Sequence, residues 1–507
     1  MNTCIPKKLN IFQIPINGIH LIEASAGTGK TFTIVLLYLR LLLGIDKKNN
    51  DTKKFLVNEI LVVTFTNAAK EELYTRIKDA IQKLYLTCIK KRKKKDFFTL
   101  FLKQIQNIEE AKYILEEAQK NINNISIYTI HGFCKKILKS YTFEFNFSSE
   151  EEIIENEESL YLQATQDFWR RFFYKLPKDI VSIIYQDYKN PEELLKRIKP
   201  FLHIKSLNFE KNIVNKNELI LCHENNVKRI NQFKEDWLIY HDMILKKINI
   251  LKLNRKIYSN FNINRWVNNI TKWSKDITKD YILPNSLKYF TKEYIEKNAI
   301  DNINLQHIFF NEIKDILTKK FSLKKVVLFY AIKNIPKILS KTKQKKLLLG
   351  FDDLLNLVLK TIKKEKILKD IISKQYPMAF IDEFQDTNIE QYNIFNLIYN
   401  KKQKNIGLFL IGDPKQAIYS FRGADIFSYL YVKNKIKKYY YLNTNWRSSI
   451  NMCKSINCLF SKNNNPFIFK NIPFIPVLPS YKNFKMDFKI GEISQTALSF
   501  FFIKNKK

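Results

Sequence analysis

Residues Ala24–Thr31 read ASAGTGKT and come just after the apolar run Ile19–Ile22. A glycine-rich turn that leaves a buried strand and enters an apolar helix, here Phe32–Leu43, constrains the fold severely. It belongs in an open α/β sheet whose strands deliver their loops to a ligand at the carboxyl ends. Three further apolar segments, Ile60–Phe65, Met378–Ile381 and Leu408–Ile411, read as buried parallel strands, and each runs into a polar loop. Ile125–Thr129 is a fifth candidate and leads into His131.

The turn has the chemistry of a phosphate cradle. Across Ala24, Ser25, Ala26, Gly27, Thr28, Gly29, Lys30 and Thr31, the two glycines let the backbone fold tightly, so that amide N–H groups converge on phosphate oxygens. The helix behind adds its positive N-terminal end. Lys30 supplies a point charge for the β and γ phosphates of ATP, and Thr31 a hydroxyl for Mg²⁺. Ala24 stands where the generic pattern has a glycine, and a small residue suffices there.

Asp382 and Glu383 follow the strand Met378–Ile381. The aspartate is placed to hold Mg²⁺, directly or through water, and the glutamate to orient and deprotonate an attacking water. In GDPKQAIYSFRGAD (Gly412–Asp425), Gln416 is a candidate γ-phosphate sensor, while Tyr419, Phe421 and Arg422 suit a stacking platform for a polymer's bases. Taken alone, Tyr419 and Phe421 would more readily read as core residues. In NTNWRSS (Asn443–Ser449), Arg447 is a candidate arginine finger, a role worth ~10³–10⁵ in rate, and Trp446 a candidate partner for adenine. An isolated Trp-Arg pair would more often be structural.

At 507 residues the chain is too long for one ordinary core, and 45% hydrophobic residues are ample for packed ones. The region between Ser140 and Lys346 has helical periodicity, charge and aromatics but few strand signals, so it reads as an insertion. The expected organisation is residues 1–140 and 347–442 as two parts of one ATP-binding motor domain, 141–346 as a helical insertion, and 443–507 as the incomplete start of a second motor domain. The net charge of +37 permits nucleic-acid binding but is discounted, because a Lys-, Asn- and Ile-rich composition is what an AT-rich coding sequence produces. Runs such as Lys341–Lys346 read as solvated faces. Six scattered cysteines form no paired CxxC motifs, which points away from disulfide, zinc and iron–sulfur frameworks. The stretch Ile34–Leu43 is broken by Arg40 and too short for a bilayer, and no signal-peptide core is evident, so a cytoplasmic protein without membrane association is expected.

Together these blocks resemble superfamily 1 DNA helicases of the UvrD/Rep type, and among them the RecB (beta) subunits of the RecBCD helicase–nuclease, exodeoxyribonuclease V. The matching strings are LIEASAGTGKTFTI (Leu21–Ile34), ILVVTFTNAAKEEL (Ile60–Leu73), YTIHGFC (Tyr128–Cys134), QDFWRR (Gln166–Arg171) and GFDDLL (Gly350–Leu355). IDEFQDTN, LIGDPKQAIYSFRGADIF, LNTNWRS and IPFIPV (Ile472–Val477) complete the series in family order. The resemblance implies a RecA-like motor using ATP and Mg²⁺, moving 3′ to 5′ on single-stranded DNA and separating a duplex from its end. The implied setting is double-strand break repair and recombination, with RecC-like and RecD-like partners. By motif position Thr64, Phe65, Thr66 and Asn67 would touch the strand, with Arg76 and His131 near it; His131 reads almost equally as a packed histidine.

The resemblance also implies a TIHKSKGLE-like block, a final arginine-bearing block and a nuclease domain, none of which occurs here. A DYK triplet at Asp187–Lys189 echoes a nuclease motif without companion carboxylates and reads as chance. The expectation is therefore a truncated helicase subunit whose isolated chain binds Mg-ATP weakly and unwinds little. The alternative is a non-catalytic or degenerate ATP- and single-strand-binding remnant.

Overall fold

The computed structural model describes residues 7–45, 53–90, 97–145, 151–202, 216–300, 308–319, 321–401, 403–418, 425–463, 465–481, 489–491 and 493–501. The chain divides into two compact units, Met1–Ile153 with Gly350–Lys507, and Ile154–Leu349.

The first unit is built on a parallel sheet of seven strands. In chain order they are β1 (Lys7–Lys8), β2 (Gly18–Ala24), β3 (Ile60–Thr64), β4 (Ser126–Thr129), β5 (Met378–Ile381), β6 (Gly407–Gly412) and β7 (Lys438–Leu442). In space the order is β1-β7-β2-β6-β5-β3-β4. Register places Ile22 beside Ile411, Ile381 beside Leu410, and Thr64 beside Thr129. Helices cover both faces, so β3, β5 and β6 are buried throughout and read as unbroken apolar runs. A fold of parallel strands with buried faces is the α/β motor architecture expected from the sequence. Strand β7 was not anticipated. Its KYYYL sequence is only partly buried and carries hydroxyls and an ammonium, which hide the strand signal.

Helix α1 (Lys30–Leu43) leaves the phosphate loop and is buried from Thr33 to Leu43. Even Arg40 lies inside, its guanidinium donating to the carbonyls of Ile11, Ile14 and Ile45 at 2.6, 2.7 and 2.8 Å. That charged side chain is tolerated because it straps the segment before β2 to the helix. Helices α2 (Asn67–Lys90) and α3 (Ile130–Ser140) follow β3 and β4. Beyond β7, the short β8 (Thr444–Asn445) pairs in parallel with β9 (Leu478–Pro479).

The second unit is helical. One core gathers Phe168, Phe172, Tyr188, Leu194 and Val327, and another Trp237, Trp266, Phe290 and Phe310. Tyr188, the centre of the DYK triplet, is fully buried there. The run at Lys341–Lys346 departs from the expected solvated face at one position. Lys343 is 8% exposed and pairs with Glu157 at 2.6 Å. Among the described residues no helix is long and apolar enough to cross a membrane.

Candidate nucleotide site

The site forms where β2, β5 and β6 end, because three neighbouring strands release three polar loops at one edge of the sheet. Ala24 closes β2, fully buried. The loop then turns through Gly27 and Gly29, with φ of 74° and 91°, values that a side chain would strain. Thr28 braces the turn by donating its hydroxyl to the Ser25 carbonyl at 2.7 Å. Gly29 caps α1 without a side-chain hydrogen bond, so the helix's first N–H groups have no side-chain acceptor of their own at the cap. Ser25 and Thr31 are half-buried beside it and Ala26 is exposed.

Lys30 points across this turn to the other two loops. Its Nζ donates to Glu383 Oε2 at 2.6 Å and to Gln416 Oε1 at 3.2 Å. Glu383 reaches it from a left-handed backbone, φ 49°, an unusual conformation for a glutamate that turns its side chain off the end of β5. The same carboxylate oxygen accepts from Gln385 Nε2 at 2.6 Å. Gln416 is held from behind, its Nε2 donating to Asp413 Oδ2 at 2.6 Å.

Asp382 is 5% exposed and accepts from the Glu383 N–H at 2.9 Å. Burial, reinforced by the neighbouring Glu383 charge, pushes its carboxyl up to about 7. Asp386, which the sequence did not single out, is pushed up to about 6 by burial and then by Glu383, and its Oδ1 has no hydrogen-bond partner. Buried carboxylates whose charge the protein compensates this poorly fit a hard divalent cation, and the Asp382 carboxylate and the hydroxyl of Thr31, in the first turn of α1, are oxygen donors of the kind Mg²⁺ takes.

The segment Asn445–Ser448 lies on the phosphate loop. The Trp446 N–H donates to the Gly27 carbonyl at 2.8 Å, and the Trp446 ring meets Phe97 edge-on at 5.5 Å and Tyr481 at 6.4 Å. Arg447 is exposed, with its N–H bound to Asn445 Oδ1 at 2.9 Å. Asn445 is the residue that organises this contact. Its Oδ1 also accepts from the Ser448 N–H at 2.9 Å, and its Nδ2 donates to the Ala26 carbonyl at 3.3 Å. A Cβ on Gly27 would sit 2.8 Å from Asn445 Oδ1, so the close approach requires glycine.

The residues expected near a strand lie at the neighbouring ends of β3 and β4. Thr64 is buried and donates to the Thr66 carbonyl at 3.0 Å, while Thr66 Oγ1 accepts from the Ala69 N–H at 3.1 Å and caps α2. Phe65 is half-buried and Asn67 exposed. Arg76 lies on the exposed face of α2, paired with Glu72 at 2.7 Å. His131 packs on Phe351 with ring centroids 4.7 Å apart, and burial lowers its pKa. Tyr419, Phe421 and Arg422 lie outside the described residues.

Residues 6–437 match the model of the UvrD/REP helicase N-terminal domain. The chain is 65% identical over 503 residues to the RecBCD enzyme subunit RecB of Buchnera aphidicola subsp. Acyrthosiphon pisum, a match covering 99% of this chain and 43% of that relative. It is 35% identical over 505 residues to the RecB subunit of Escherichia coli (strain K12), covering 99% and 43%. The RecB subunit of Chlamydia pneumoniae is 24% identical over 497 residues, covering 90% and 43%. The chain thus spans less than half the length of these relatives.

Proposed function

The chain belongs to the UvrD/REP helicase family, and from that membership we propose that it is the ATP-dependent motor portion of a 3′–5′ DNA helicase subunit. Its setting would be a RecBCD-like complex with RecC-like and RecD-like partners, acting in the cytoplasm on duplex ends during double-strand break repair and recombination. The observation that carries the reading is the convergence of Lys30, Glu383 and Gln416 from three separate loops within hydrogen-bond distance. That arrangement suits one purpose, sensing and acting on a terminal phosphate.

The loop amides and the N-terminal end of α1 would bind the phosphates, with Lys30 on the β and γ positions. Thr31 and Asp382 would hold Mg²⁺, which when bound supplies charge neutralisation to the phosphate oxygens. Glu383 would orient water and take its proton, and Gln416 would register the γ-phosphate from the opposite side. Arg447, fastened through its N–H, would bring its cation to the same phosphate, and Trp446 would offer a ring to the base. At the ends of β3 and β4, Thr64–Asn67 present hydroxyls, an amide and an aromatic ring, groups that grip a strand without reading its sequence. Arg76 and His131 would flank it, and Tyr419, Phe421 and Arg422 would complete the strand's path. In this reading residues 141–346 form an insertion in the motor and residues 443–507 begin a second motor lobe.

Titration with a fluorescent ATP analogue and Mg²⁺ tests the site. Binding is expected in the parent chain and lost by at least about tenfold in Lys30→Ala, as removal of a phosphate-bound cation requires. Equal affinity in both proteins would refute the assignment.

A further inference from the structure

Glu23 stands immediately ahead of the phosphate loop and is 4% exposed, a carboxylate on an otherwise apolar strand end. Two ammonium groups and a phenol surround it. Lys433 Nζ lies 3.0 Å from Oε2, the Tyr439 hydroxyl donates to the same oxygen, and Lys415 Nζ stands 3.8 Å from Oε1. None of these residues has a part in the site described above.

The contacts continue in two directions. Toward the nucleotide, Lys415 pairs with Asp413 at 2.8 Å, and Asp413, 1% exposed, is the group that holds Gln416. Away from it, Lys433 Nζ donates to the Asn471 carbonyl at 3.1 Å, next to the IPFIPV block. Two carboxylates and two ammonium groups therefore balance only as a set. Burying such a set is weak as a source of stability, since apolar side chains of similar volume often do as well. What it supplies is geometry, because each member has one low-energy position once the others are placed.

We propose that Glu23 is a positioning residue that locks the Asp413–Gln416 loop to the base of the phosphate loop and, through Lys433, ties that loop to the 471–477 segment. A displacement of Gln416 is thereby passed to a segment outside the phosphate site. The purpose of the linkage rests on the nucleotide reading given above; the linkage itself does not.

The test uses the full chain. Glu23→Gln alone leaves two half-buried ammonium groups facing one carboxylate, so the charge-balanced double variant Glu23→Gln/Lys433→Gln is made beside it. Native-state hydrogen exchange without nucleotide should accelerate by at least about tenfold in both 413–417 and 471–477 of the double variant, with β5 unchanged. Unaltered exchange in either segment would overturn the proposal. With Mg-ATP, the dissociation constant should stay within about threefold while turnover falls by about tenfold or more. An equal loss in affinity and turnover would reduce Glu23 to a support for the phosphate loop and overturn its positioning role. A parent chain that binds no ATP would refute the functional reading, and the exchange result would still decide the linkage.

Discussion

Replacing Asn445 with alanine isolates the contact between the phosphate loop and the arginine-bearing segment. Asn445 is 6% exposed, and its side chain serves the Arg447 and Ser448 N–H groups at 2.9 Å each and the Ala26 carbonyl at 3.3 Å. Removing a partner from a buried donor costs about 1–3 kcal/mol, and the segment borders exposed residues, so the lower half of that range applies to each strong bond. The expected destabilisation is about 2–4 kcal/mol, a fall in Tm of about 3–6 °C for a unit of this size. Asn445→Asp keeps the oxygen that accepts both strong bonds and should recover most of that loss. It also places a negative charge under the phosphate loop, and at an effective dielectric constant of about 20 such a charge weakens binding of an anion by about 1–2 kcal/mol, roughly tenfold. Thermal melting and titration with a fluorescent ATP analogue separate the two effects. An alanine variant that melts with the parent would refute the claim that Asn445 fastens the segment, and an aspartate variant with parental affinity would refute its placement under the phosphates.

His20 is buried on β2, stacked on Phe409 at 4.8 Å, with Nε2–H donating to the Asn17 carbonyl at 3.0 Å. Burial, aided by the Lys438 charge, pushes its pKa down to about 3. The unfolded chain therefore binds the proton first, so stability is full above about pH 6.5 and falls as pH drops toward the folded value, losing about 2 kcal/mol between pH 7 and 5. His20→Phe should flatten that part of the acid limb in denaturant titrations, and an unchanged slope would contradict the burial argument. In the helical unit, Lys343→Ala leaves Glu157 in a largely buried position. The cost should be about 2–3 kcal/mol, below the extreme for fully buried pairs, and Glu157→Gln added to it should restore part of the loss in a double-mutant cycle.

The strands carrying the motif loops were legible because a central parallel strand is buried on both faces and leaves an unbroken apolar run, as in Met378–Ile381 and Leu408–Ile411. The same rule hid β7, where Tyr440 and Tyr441 are partly exposed. Within the site, residues that would touch the nucleotide stand in short local strings, and Lys30, Glu383 and Gln416 were readable from them. Asn445, Asp413 and Glu23 lie in the same strings but act on neighbours rather than on ligand. Asn445 meets Ala26 across 419 positions of sequence and Glu23 meets Lys433 across 410, and no local pattern encodes such adjacency. Lys343 fails as a reading for a related reason, since a lysine run on a helix is solvated only until one member of the run turns inward to a buried carboxylate. The left-handed backbone of Glu383 is also invisible in sequence, because glutamate there is rare and must be held by its surroundings.

ATP hydrolysis by the purified chain, measured with and without a single-stranded oligonucleotide at low salt, tests the central claim most directly. A DNA motor with this site should hydrolyse ATP faster when the strand is present, and Glu383→Gln should abolish the stimulated rate while Mg-ATP still binds. Hydrolysis indifferent to the strand, or a stimulated rate that survives Glu383→Gln, would contradict it.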